Sequence, residues 1–208
     1  MAKPEPIAYI WHKDYVNESD RYIPTTNRNV MVHSLIEAYG LLDNMMTVTP
    51  KKASIQDLAA FHSMDYLNFL SNPDSNRDED SINDETDDYG LEYDCPIQDG
   101  IIEYCQRVAG GTIEAARMLN NGFCKTAIHW LGGGGGYNPA NTARSWTSVT
   151  ASLLGKEISE DIPEHEYFLE YGPHYELPVS QSLRKDLNTS KYIEEVVSFV
   201  GNNLEQIN

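Results

Sequence analysis

The chain has 208 residues with 40% hydrophobic content and a formal net charge of −17. That is enough length for one substantial core. The charge argues against sequence-independent binding to a phosphate backbone and fits a basic partner better. No stretch approaches the roughly 18–20 apolar residues of a membrane span, so no membrane association is expected. The first residues, MAKPEPIAYIW, lack the basic and apolar regions of a secretory signal. The three cysteines, Cys95, Cys105 and Cys124, cannot all pair and form no C-x-x-C, which fits free thiols in a reducing compartment.

In chain order, Ile7–Trp11 reads as a short buried strand. From Arg28 to about Met45, apolar residues at Met31 or Val32, Leu35, Ile36, Tyr39 and Leu42 predict a helix that Gly40 weakens. Thr47–Pro50 reads as a break. Ser54 with Asp57 forms a capping-box pattern opening a short helix through Phe61, and Ser63 caps the next, with Tyr66, Leu67 and Leu70. Residues 74–88, DSNRDEDSINDETDD, hold eight acids and one arginine, an acidic loop over 73–88.

Beyond it, Asp99 is the expected N-cap of a long helix, interrupted or tightly packed at Gly110–Gly111 and ending near Gly122. Lys125–Trp130 predicts a strand. After five glycines, Asn138 or Asn141 caps a helix toward Leu154, with Pro139 in its first turn. Residues 156–188 read as loop. Ile193, Val196, Val197, Val200 and Leu204 predict a final helix. Helices alternating with few strands predict an α/β domain with a parallel sheet.

The candidate chemistry centres on LGGGGGY, residues 131–137. A P-loop needs Lys-[Ser/Thr] after its glycines, and Gly136 is followed by Tyr-Asn-Pro. The dinucleotide pattern fails because its third glycine position is Tyr137. The remaining reading is a crowded pocket wall with Tyr137 at its rim, able to donate to a developing oxyanion. Asp94 is either a turn-capping residue or a grip on a peptide-like substrate. Arg28 opens a helix, where a cation opposes the helix dipole, so its placement suggests a lining role. The six histidines form no H-E-x-x-H and no other zinc-ligand spacing. His33 and His62 read as structural histidines on helices.

Six segments carry a resemblance: MVHSLIEAYGLL (31–42), AAFHSMDYLNFL (59–70), YGLEYDCP (89–96), GGTIEAARMLNNGFCKTAIHW (110–130), GGGYNPANTARSWT (134–147) and LGKEISEDIPEHEYFLEYGPHYEL (154–177). Together they resemble the class I zinc-dependent histone deacetylases, closest to the histone deacetylase 8 branch. The first four are similar to the N-terminal third of that family and the last two to its C-terminal part. The resemblance implies an arginase-like parallel sheet flanked by helices, here as one domain over 1–208, truncated by loss of central strands. It also implies zinc-dependent hydrolysis of acetyl-lysine amides on histones and other proteins, in nucleus and cytoplasm.

By the same resemblance, Tyr137 matches the tyrosine that, with zinc, polarises the acetyl-lysine carbonyl. Gly134, Gly135 and Gly136 match the lining of the acetyl-lysine tunnel, Asp94 the rim residue that binds substrate backbone, and Arg28 the internal-channel arginine. The family's paired-histidine and Asp-x-His motifs have no counterpart in this sequence. The glycine run reads as a join near 130–134, where Gly-Gly of one motif meets Gly-Gly-Gly of another. The expectations are therefore no metal bound by this chain, no catalysis, and association through apolar faces left without cover. The alternative is a non-catalytic module that holds lysine-rich peptides.

Overall fold

A computed structural model describes residues 6–20, 22, 27–72, 89–91, 97–132, 136–179 and 185–206. The chain forms two compact units, residues 1–178 and 179–208. Among the described residues no helix is long and apolar enough to cross a membrane.

The first unit is an α/β layer around a three-stranded parallel sheet of order β2-β1-β3. β1 is Ile7–Ile10, β2 is Met46–Val48 and β3 is Thr126–Ile128. β1 is central and all four of its residues are buried, as expected of a strand flanked on both edges and covered on both faces. Its register pairs Ala8 with Met46 and Tyr9 with Thr47 on one side, and Ala8 with Ala127 and Tyr9 with Ile128 on the other. Thr47 and Val48, within the expected break Thr47–Pro50, thus belong to an edge strand, Met46–Val48. Three residues are too few for period-two alternation to declare itself.

The helices of this unit are α1 (Lys13–Ser19), α2 (Arg28–Ala38), α3 (Ile55–Ala59), α4 (Met64–Ser71), α5 (Ile101–Asn120) and α6 (Pro139–Leu153). α1 carries no amphipathic signal that sequence reading found. α2 stops at Ala38, seven residues before the expected Met45, because Gly40 takes φ 67° and turns the chain toward β2. The Ser54–Asp57 capping box and the Ser63 cap form as expected, with Asp57 N–H donating to Ser54 Oγ at 3.1 Å and Tyr66 N–H donating to Ser63 Oγ at 3.3 Å. Asn138 is the cap of α6, accepting from Asn141 N–H at 2.9 Å, and Pro139 sits at its start.

One helix expectation needs correction. Gly100, at φ 82°, rather than Asp99 is the N-cap of α5. Of the two readings of Gly110–Gly111, tight packing holds and α5 runs through them uninterrupted. They let it approach its neighbours: a Cβ on Gly110 would stand 2.8 Å from Ala53 N, and one on Gly111 would stand 2.9 Å from the Tyr15 hydroxyl.

The core joins Tyr9 of the sheet to Met31, Val32, Leu35 and Ile36 of α2, Ala143 and Ala151 of α6, and Ile162 and Tyr171 from the loop beyond. α2 and α6 pack directly on each other. They were expected to lack part of their cover, and on this side each covers the other. What α6 leaves open is its outer side, where Val149 and Leu153 are about half exposed. The loop is clasped onto this pair. Tyr39 Oη donates to Ser159 O at 3.0 Å, and Arg144 donates to Tyr171 O at 2.8 Å and Glu176 O at 2.7 Å.

The second unit consists of one helix among its described residues, α7 (Ser190–Glu205), capped by Thr189, which accepts from Tyr192 N–H at 3.2 Å. It carries the predicted stripe of Ile193, Val196, Val197, Val200 and Leu204.

Candidate functional site

The glycine run enters α6 through Gly136, Tyr137 and the Asn138 cap. Gly136 takes φ 89°, and a Cβ there would lie 2.7 Å from Thr142 Cγ2. Both facts require glycine at this position. The turn aims the next side chain outward: Tyr137 is 90% exposed. Asp94, Gly134 and Gly135 lie outside the described residues, as do the acidic stretch 73–88 and part of the expected join.

Arg28 is better resolved. It opens α2, whose N-cap Asn27 is left-handed and makes no side-chain cap bond. Asp20 takes over that role, accepting from Asn29 N–H at 3.0 Å and Val30 N–H at 2.9 Å. Its carboxylate satisfies two orphan amides of the first turn and offsets the unfavourable position of the Arg28 cation. Burial pushes the Asp20 carboxyl up, while those two amides and Arg28 pull it back. The Arg28 guanidinium lies over the Trp146 ring, 5.8 Å from its centroid. Trp146 stacks on Trp130 at 4.7 Å and 16°, and Trp130 Nε1–H donates to Thr150 Oγ1 at 3.2 Å. One tryptophan precedes the glycine run and the other follows it, so the stack fastens the two sides of that run.

Sequence reading missed two buried tyrosine–histidine pairs. Tyr15 Oη lies 2.7 Å from His129 Nε2, and Thr112 Oγ1 lies 3.2 Å from His129 Nδ1. Thr112 donates its own proton to Val108 O, so it accepts from His129 Nδ1–H, and Nε2 accepts from Tyr15. This neutral tautomer satisfies both ring nitrogens. In the second pair, Tyr9 Oη lies 2.6 Å from His33 Nδ1. His33 Nε2 is buried without a partner among the described residues, so His33 is only half satisfied. Burial lowers His129 to about 4. Burial, and then the neighbouring His129, lower His33 to about 3. The signal for these pairs was absent from any local window, since their partners are 24 and 114 residues apart in sequence. His62, expected on a helix, is an exposed residue between α3 and α4 with its ring against Phe61.

These donors do not suit a zinc ion. Zinc takes about four ligands in tetrahedral array. Both nitrogens of His129 are committed to hydroxyls. His33 spends Nδ1 on Tyr9 inside the core. His165 spends Nδ1 on Pro163 O at 2.8 Å. Among the described residues no three His, Cys, Asp or Glu side chains come together as a metal-binding group. Among the described residues, solvent-exposed Tyr137 has no such group beside it.

Comparison with known proteins decides the ancestry. The family model described as the Histone deacetylase domain matches residues 23–134, a little over half of the chain. The chain belongs to the histone deacetylase family. It is 25% identical to histone deacetylase 8 of Danio rerio over 368 positions, covering 99% of this chain and 97% of that protein. With histone deacetylase 8 of Xenopus tropicalis it is 25% identical over 362 positions, covering 96% and 98%. It is also 45% identical to histone deacetylase 9 of Arabidopsis thaliana over 137 residues, covering 64% of this chain and 32% of that protein.

The lengths in these alignments are informative. An alignment of 368 positions cannot be filled by 208 residues, so about 160 positions of the Danio rerio alignment have no counterpart in this chain. A quarter of 368 is about 92 identities, or about 44% of 208 residues, close to the 45% of the shorter match. The deacetylase family is zinc-dependent in general and acts on acetyl-lysine substrates such as histones. The family match ends at residue 134, inside the glycine run.

Proposed function

We propose that this chain is a deacetylase-family domain without deacetylase activity, lacking the zinc ligands and general-base histidines of its relatives. The observation that carries this reading is the 90% exposure of Tyr137, the residue that matches the family's carbonyl-polarising tyrosine. A hydrogen-bond donor stabilises an oxyanion strongly only in a water-excluded site. One such donor accounts for about 3–4 kcal/mol of a barrier. It does not replace a metal-acidified water and a histidine base. The sequence without paired-histidine and Asp-x-His motifs and the 160-position shortfall support the same reading.

A second reading, a non-catalytic holder of lysine-rich peptides, is favoured by the net charge of −17 and the eight acids of residues 74–88. In it Asp94 grips peptide backbone. The deciding experiment is zinc stoichiometry of the purified chain after dialysis, with turnover of an acetyl-lysine peptide measured on the same sample. Near-zero zinc with no turnover is the expected result. One zinc per chain with measurable hydrolysis overturns the proposal.

A further inference from the structure

α7, in the second unit, runs 16 residues, and none of them is buried. At about 100° per residue, Phe199, Tyr192, Val196, Val200, Ile193, Leu204 and Val197 fall within about 160° of its circumference, with Asn203 as the one polar residue among them. Their exposures run from 42% at Val196 to 67% at Phe199. Two aromatic and five aliphatic side chains make one contiguous apolar face on the order of several hundred Å², the scale of the roughly 800 Å² that each partner gives to a standard interface. The face has no counterpart among the catalytic or substrate-binding positions assigned above.

A helix of this length is marginal in water unless its apolar face is packed. α7 is a poor helix former besides, with β-branched Ile193, Val196, Val197 and Val200 followed by Gly201. Its local support is the Thr189 cap and an exposed Lys191–Glu195 pair at 3.8 Å, in the less favourable order with the cation first. Its end charges oppose its own dipole. Lys191 stands in the first turn and Glu205 in the last, with no acid in the first turn and no base in the last. Charges wrong for their own helix are right for an antiparallel neighbour. Lys191 then lies beside the negative C-terminal end of that neighbour, and Glu205 beside its positive N-terminal end. The acids Glu194, Glu195 and Glu205 on the polar side disfavour an anionic membrane surface, which interfacial helices meet with Lys and Arg.

We propose that α7 pairs antiparallel with α7 of a second copy of this chain, about a two-fold axis at the level of Ser198. Positions equidistant from Ser198 then stand opposite each other, and every contact is made twice. Tyr192 meets Leu204 of the second copy, Val196 meets Val200, and Lys191 meets Glu205. Glu194 and Glu195 stand opposite Asn202 and Gly201, so no acid faces an acid. A parallel pair in register sets each glutamate beside its own copy instead. The net charge of −17 on each chain opposes the approach, and salt screens it beyond about 8 Å at physiological ionic strength. The pairing is independent of whether the chain hydrolyses acetyl-lysine.

Sedimentation velocity of the full chain at that ionic strength, from about 1 to about 100 μM, reads the dimer. Val196→Asp at the centre of the face leaves a monomer. Lys191→Glu and Glu205→Lys each set like charges opposite one another twice per dimer, and each weakens association about ten-fold. Each also removes a charge that opposed its own helix dipole, so the weakening is not loss of the helix. Mixing the two variants restores wild-type association, because both end pairs are then opposite in sign. A wild-type chain that stays monomeric at about 100 μM overturns the proposal and leaves the face to the chain itself or to a different protein. A dimer unaffected by Val196→Asp also overturns it, as does a mixture that associates no better than either variant alone.

Discussion

Lowering the pH from 7 to 5 charges two histidines in the unfolded chain that the folded chain keeps neutral. His33 falls to about 3 and His129 to about 4, both through burial above all. An unfolded histidine titrates near 6.5. Above that value both states are neutral and neither group affects stability. As pH falls below it, the unfolded state takes up protons the native state refuses, so stability declines with acidification until the folded pKa is reached. Each histidine then costs about 2 kcal/mol at pH 5, about 4 kcal/mol for the pair. Against the roughly 5–15 kcal/mol of an ordinary domain, that is a large fraction.

Asp20 has the opposite sign, because its raised carboxyl pKa adds stability on acidification. Asp57 and Glu103, held low by Ser54 and Lys52, lose their contribution only as pH falls through the carboxylate range. The window from 7 to 5 therefore isolates the histidines best. Urea unfolding followed by circular dichroism at half-unit steps gives the slope directly. Its expected value below pH 6 approaches about 2.7 kcal/mol per unit for two groups. His129→Gln halves that slope whatever it does to stability at pH 7. A flat profile between 7 and 5, or a slope unchanged by His129→Gln, refutes the reasoning.

Other substitutions test the packing. Thr147 is fully buried with Oγ1 unpartnered among the described residues, so Thr147→Val raises the urea midpoint by the equivalent of about 1 kcal/mol, and a lowered midpoint counts against it. Trp146→Ala removes the Trp130 stack and the ring beneath Arg28. It costs about 3–5 kcal/mol in the same assay, and a loss under about 1 would show that the stack does not fasten the two sides of the glycine run. Gly136→Ala forces a side chain into a left-handed position and against Thr142. It costs about 1–3 kcal/mol, while Tyr137→Phe at the exposed neighbour leaves the thermal midpoint unchanged.

What the sequence showed and hid follows from the range of the interactions. Caps at Ser54, Ser63 and Asn138 are contacts three residues long, and all three form as read. β1 was legible because burial on both faces leaves an unbroken apolar run. β2 was hidden: three residues pair with β1 across nearly forty positions of chain, and nothing local distinguishes them from loop. The end of α2 was misplaced because apolar residues continue past Gly40, and backbone geometry rather than hydrophobicity stops the helix. Asp20 could not be found as the cap of α2 from a local pattern, since it reaches the first turn from nine and ten residues upstream. Of the candidate site, Arg28 and Tyr137 were singled out, but only the fold shows the first over a tryptophan ring and the second in solvent.

The way α2 and α6 meet explains how a chain some 160 positions shorter than its alignment can retain a core. A missing block removes strands only if the remaining helices have other apolar surfaces to cover. Small side chains on α6, Ala143, Thr147, Thr150 and Ala151, are all buried. They allow the close approach of a second helix, and α2 brings Met31, Val32, Leu35 and Ile36 into the same core. Tyr171 completes it from beyond α6, donating to Met31 O at 3.4 Å while Arg144 lies over its ring at 5.0 Å. Contacts therefore run from the first 40 residues to the segment after the glycines without passing through the glycine run itself. The part of the deacetylase fold that persists is held by helix packing and by the tryptophan stack.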